Sequence, residues 1–207
     1  MTPSFPQLNE THLDILRELG NIGAGYAATS LSVLMDRKVL VSEPKVHIDR
    51  CAARCCDEGE DGFGVRVDFT GEASGAILFL LAFEEARELT AGLTAPVTYS
   101  SPEADRGASS LWASAVCEIG NILGASYLRA FSAFTGLKIN TALPRLISGR
   151  GDGITADIES GLTASGGEVM SVEERFLLCG TGECGRVILF VDRASISRVM
   201  SGIEAKG

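Results

Sequence analysis

A carboxylate and a carboxamide stand three residues apart twice in this 207-residue chain: Glu18 and Asn21 within ELGNIGAG, residues 18–25, and Glu118 and Asn121 within EIGNILGA, residues 118–125. A carboxylate accepts hydrogen bonds and pairs with cations, while a side-chain amide both donates to and accepts from a water molecule. Neither is a nucleophile of note. His12 is the one imidazole in the stretches 9–36 and 103–136 that hold the pairs, and one Glu with one Asn offers too few ligands for a metal. The pair is a poor stand-alone active site. Its chemistry suits completion of another protein's site, the amide orienting a water as the water-positioning amide of GTPases does and the carboxylate holding a lysine of the partner.

Periodicity predicts the elements that would present these groups. Residues 9–36 and 103–136 carry apolar positions at helical spacing, with Asn9 and Ser101 or Pro102 as starts. On a helix, residues three and four apart share a face. Asp14, Glu18, Asn21, Gly25, Ser32 and Asp36 then form a polar stripe, opposite Leu16, Leu19, Gly23, Ala27, Leu31 and Leu34. Ser114, Glu118, Asn121, Ala125, Arg129 and Ser132 repeat the stripe, backed by Ile119, Ile122, Leu123, Tyr127, Ala130 and Phe134. Gly20, Gly23 and Gly25 together weaken the first helix by roughly 2 to 3 kcal/mol relative to Ala. Close packing accounts for Gly23 on the buried side. Gly25 and Ala125, one turn past each Asn, leave room for a partner.

The repeat extends beyond the helices. Lys38 matches Lys138 and Pro44 matches Pro144 at a shift of one hundred, and GAILFL, 75–80, matches GRVILFV, 185–191, at a shift of 110, which places about ten extra residues near 148–167. Each half reads as a long helix, a strand through the proline, two alternating strands (63–71 and 75–83; 172–180 and 185–191) and a short helix (84–93; 193–203). The expected fold is α+β, layered: one domain over 1–207 built of two repeats, about 9–93 and 103–203. A pseudo-twofold axis relates the repeats, with a six-stranded, largely antiparallel sheet carrying the two long helices.

Composition sets the outer limits. Charged residues at 22% and hydrophobic residues at 45% describe an ordered globular chain, and a net charge of −9 with scattered Lys and Arg argues against a nucleic-acid surface. No apolar run reaches bilayer length and the start lacks signal-peptide character, so membrane insertion is not expected and the expected location is cytoplasmic. His47, Cys51, Cys55 and Cys56 lack the second paired half of a zinc site. Cys179 and Cys184 flank a GTGE hairpin tip and read as packing residues, in reduced form. No metal is expected.

The pattern Asp or Ser, three residues, Glu, two residues, Asn, then twenty-two residues to Pro occurs as Asp14, Glu18, Asn21, Pro44 and as Ser114, Glu118, Asn121, Pro144. It resembles the phosphatase signature of the CheC, CheX and FliY family of bacterial and archaeal chemotaxis, and its two complete copies are most similar to the duplicated CheC branch. The resemblance implies hydrolysis of the aspartyl phosphate on the response regulator CheY. Asn21 and Asn121 would align the attacking water, and Glu18 and Glu118 would bind the regulator's active-site lysine. It implies no cofactor on this chain, the Mg²⁺ residing on CheY, and supporting roles for Asp14, Ser114, Gly25 and Ala125. It also implies pairing with CheD through a segment at 152–164, with Asp152, Ile154 and Ile158 as docking residues. The alternatives are a non-catalytic adaptor for CheY phosphate, CheD or a flagellar switch component, and a scaffold that dimerises through the repeat face.

Overall fold

The computed structural model describes residues 9–49, 61–82, 111–150, 154, 169–179 and 182–205. The first long helix, α1, spans Glu10–Met35. Asn9 starts it: its side chain accepts from the His12 N–H at 2.9 Å, and its own N–H donates to His12 Nδ1 at 3.2 Å. This capping box places an imidazole where Glu or Gln is usual. The helix stops at Asp36, which is left-handed with φ 49°, and its counterpart stops at Gly136, φ 74°. That second long helix, α2, spans Leu111–Thr135. The short α3, Arg193–Glu204, is capped by the Asp192 carboxylate, which accepts from the Ser195 N–H at 2.7 Å. The expected helix at 84–93 and the expected start of α2 at 101–102 lie outside the described residues, as do Cys51, Cys55 and Cys56.

The strands are β1 Val39–Val41, β2 Lys45–Asp49, β3 Asp61–Gly71, β4 Gly75–Ala82, β5 Ile139–Thr141, β6 Arg145–Arg150, β7 Val169–Leu178 and β8 Gly182–Asp192. All seven pairings among them are antiparallel and join them in one sheet. The fold class is the expected α+β one, with eight strands among the described residues in place of six. Each proline-bearing pass is cut in two because Pro44 and Pro144 have no N–H to give the ladder. The two breaks are bridged alike, Ser42 N–H to the Arg175 carbonyl at 2.9 Å and Ala142 N–H to the Asp68 carbonyl at 2.8 Å.

Each repeat lends its proline strands to the other repeat's hairpin. β1 and β2 pair with β7, β5 and β6 pair with β3, and β4 meets β8 in the middle. The registers are equivalent, with Val46 opposite Val172 in one half of the sheet and Leu146 opposite Val65 in the other. By the same register Glu174 corresponds to Val67. The helices follow this exchange: α1 packs on β1, β2 and β7, α2 packs on β3, β4 and β6, and the two helices pack on each other.

Strand alternation then divides the sheet. Val65, Val67, Ile77, Phe79, Val172, Phe176, Val187 and Leu189 join Leu16, Leu19, Leu31, Ile119, Leu123 and Phe131 in the main core. Fully burying each such side chain contributes about 1.5 to 3 kcal/mol. Leu78, Leu80, Ile188 and Phe190 form a smaller cluster on the far face with Ile154. Among the described residues no helix is long and apolar enough to cross a membrane.

Candidate functional site

The two Glu–Asn pairs lie on outward faces of α1 and α2. Glu18, Asn21 and Glu118 are exposed and Asn121 is partly so, while Leu16, Leu19, Ile119 and Leu123 behind them are buried. The helical period dictates this arrangement, since Glu and Asn at i and i+3 share one side while the residues between them turn inward.

Glycines set how closely each motif approaches the sheet. A Cβ on Gly20 would lie 2.8 Å from Val172 and 3.2 Å from Pro44, and would collide with the Glu174 carboxylate. A Cβ on Gly120 would collide with Val65, the register equivalent of Val172. One close approach of helix to strand is therefore built twice. Pro44, twenty-three residues after Asn21 in the chain, is brought directly beneath the first motif. Gly23 meets the ring of Tyr127, whose atoms would lie 2.7 Å from a Cβ. At Gly25 a Cβ would have nothing within 4 Å. An open groove begins there, between α1 and β1, lined by Gly25, Thr29, Val33 and Leu40. Tyr26 and Val33 stand exposed on α1, at 62% and 78%.

The helices carrying the two pairs pack on each other, and the Ser30 and Ser126 hydroxyls lie 2.9 Å apart. The surroundings of the pairs differ. Asp14 forms an exposed ion pair with Arg17 at 2.6 Å, worth little in solvent. At the matching places stand Ser114, exposed, and Cys117, whose thiol is raised by burial and lowered by its hydrogen bond to the Leu146 backbone. His12 is engaged in the cap and lies 3.4 Å from Glu204, on the side of the Asn9 turn. Ala125 is half-buried. Among the described residues no three His, Cys, Asp or Glu side chains gather as a metal site.

Two expectations need correction or a boundary. Ile154, expected as a docking contact for CheD, is 1% exposed and packs against Gly64 on the far face of the sheet, so its apolar side chain is spent on the core. Asp152 and Ile158 lie outside the described residues.

Sequence reasoning also missed a polar group beneath the first pair. Glu174 is fully buried, and neither of its carboxylate oxygens nor the Tyr127 hydroxyl has a hydrogen-bond partner among the described residues. Burial first, then the neighbouring Glu173, raises the Glu174 carboxyl well above the usual range, and the Tyr127 hydroxyl, close by but not in hydrogen-bonding geometry, lowers it less. Burial, then the Glu174 charge, raises Tyr127 likewise. The signal was present in the strand pattern: Glu174 lies between Val172 and Phe176 at the two-residue period of an inward face.

Comparison with known proteins follows the motif. The CheC-like family matches residues 12–48 and 112–148, which hold the Glu–Asn pairs and their prolines. The "CheY-P phosphatase CheC" of Bacillus subtilis is 30% identical over 150 residues, 69% of this chain and 68% of that protein. The crystal structure of Thermotoga maritima FliY shares the fold with a TM-score of 0.71, at 19% identity over 97% of this chain and 100% of that one. CheX in the CheX–CheY–BeF3–Mg²⁺ complex from Borrelia burgdorferi resembles it with a TM-score of 0.53, at 18% identity over 82% of this chain and 96% of that one.

Proposed function

The chain belongs to the CheC-like family, and from that membership and its own surface we propose that it hydrolyses the aspartyl phosphate of the response regulator CheY. The observation that carries the reading is the paired geometry: each long helix presents one carboxylate and one amide outward at the same spacing. Beyond the first pair, the helix is low and open at Gly25. The relative named a CheY-P phosphatase and the fold relative seen in complex with CheY support the choice of substrate.

In this reading Asn21 and Asn121 enter the regulator's site and hold a water in line with phosphorus, while Glu18 and Glu118 pair with its active-site lysine. Orienting one water removes much of the entropic barrier to attack on an acyl phosphate that is already labile. The metal for the reaction is the partner's, and we assign none to this chain. Asp14 and Ser114 support the helix surface.

The test is phosphate loss from phosphorylated CheY in the presence of wild type, Asn21→Ala, Asn121→Ala and the double variant. We expect acceleration by wild type, partial activity from each single variant and none from the double. No acceleration by wild type at stoichiometric excess would refute the phosphatase reading and leave a non-catalytic adaptor.

A further inference from the structure

Leaving a carboxyl group in a core without a hydrogen bond costs stability, and replacing it with an apolar residue of similar shape generally removes that cost. The second half of the sheet has made that replacement, since Val67, 2% exposed, holds the place of Glu174. The helices differ at the same spot. Tyr127 on α2 reaches Gly23 of α1, while the residues at the matching positions are Ala27 and Leu123. Glu174 and Tyr127 thus abut the two buried glycines that bracket Asn21, and the matching positions in the other half hold Val67 and Ala27, both apolar.

We propose that Glu174, backed by Tyr127, is a positioning residue for the first Glu–Asn pair: it supports α1 at Gly20 and so sets the seat of Asn21. The second pair is built without this support. The proposal rests on Asn21 acting as the water-holding residue. Burial, with Glu173 beside it, keeps the carboxyl neutral. Val187 of β8 lies in register with it, and Gly20 of α1 packs on it. Glu18 and Arg17 of α1 lie towards solvent. Glu173 and Arg175 on its own strand alternate to the other face, where Lys45 of β2 pairs in register with Glu173. Among the described residues, Tyr127 of α2 is the remaining titratable neighbour.

The experiment isolates each pair. In an Asn121→Ala background the first pair works alone, and in an Asn21→Ala background the second does. Glu174→Val should lower kcat of the first pair about tenfold with KM unchanged, the effect of a misplaced water, and leave the second pair as it was. Glu174→Gln, of the same shape and uncharged at every pH, should restore the first pair to within about twofold. It should also abolish a loss of first-pair activity at alkaline pH that the second pair does not show. Thermal unfolding should place Glu174→Val at or above the starting protein, which separates lost positioning from lost folding. Equal loss at both pairs, or no loss at either, would overturn the proposal. Amide exchange supplies a readout free of the phosphatase reading: Glu174→Val should speed exchange in the Gly20–Gly23 turn of α1 and spare the matching turn of α2. If wild type has no phosphatase activity, that reading falls by itself and exchange alone decides this one, unchanged α1 exchange overturning it.

Discussion

Gly23 of α1 lies against the ring of Tyr127 on α2, closely enough that a Cβ on the glycine would come within 2.7 Å of it. At the matching positions the bulk has changed helix, with Leu123 on α2 and Ala27 on α1. Packing at crystal-like density requires such compensation, because a side chain added on one helix must be removed from the other.

Gly23→Ala should therefore destabilise the fold by about 1 to 3 kcal/mol through overpacking. The pair Gly23→Leu and Tyr127→Ala, which copies the other half, should lose at least about 1 kcal/mol less than the two single changes added together. Denaturant unfolding of the four proteins measures this coupling.

Gly25 has open space above it, and the opposite outcome is expected there. Gly25→Ala should stabilise α1 by about 0.8 to 1 kcal/mol. Gly25→Trp should fold normally and reduce phosphatase activity in the Asn121→Ala background, since the bulk would stand where the partner approaches. Unfolding curves and the CheY phosphate assay check the two halves of this prediction.

Glu174 makes stability fall as pH rises. Its carboxyl is held well above the ordinary value of 4.5 in the folded chain, chiefly by burial. Between those two values the folded state keeps a proton that the unfolded state has lost, so increasing pH favours unfolding. Wild type should lose Tm progressively as pH rises above about 5, and Glu174→Gln should show a shallower decline and the higher Tm at the alkaline end. Thermal unfolding at stepped pH reads the slope.

Asp36 adopts the left-handed conformation that Gly136 adopts at the end of the other long helix. A Cβ in that region costs roughly 1 kcal/mol. Asp36→Gly should recover most of that amount, visible as a higher denaturant midpoint with an unchanged slope.

The helices, hairpins and twin motifs were legible because each is written in a local period. The i, i+3, i+4 pattern of α1 separates Glu18 and Asn21 from Leu16 and Leu19 whatever lies beneath them. Asn9 and Asp192 mark their helix starts by their own side chains. The break at Pro44 was less legible, since a proline leaves open whether a strand bends or divides, and Ile154 was expected as a docking contact only from the family resemblance, which carries no information on burial.

The sequence by itself determined that two amphipathic helices each present a carboxylate and an amide, since helical faces follow from residue spacing alone. Only the tertiary structure decided which hairpin each proline strand joins. Antiparallel pairing is satisfied equally by a strand's own repeat or by its partner repeat, so no local residue chooses between them. That choice brings Val172 and Glu174 of the second repeat under Gly20 of the first, and Val65 of the first under Gly120 of the second. Contacts between residues so far apart in the chain leave no trace in any local period, and they set what each Asn rests on.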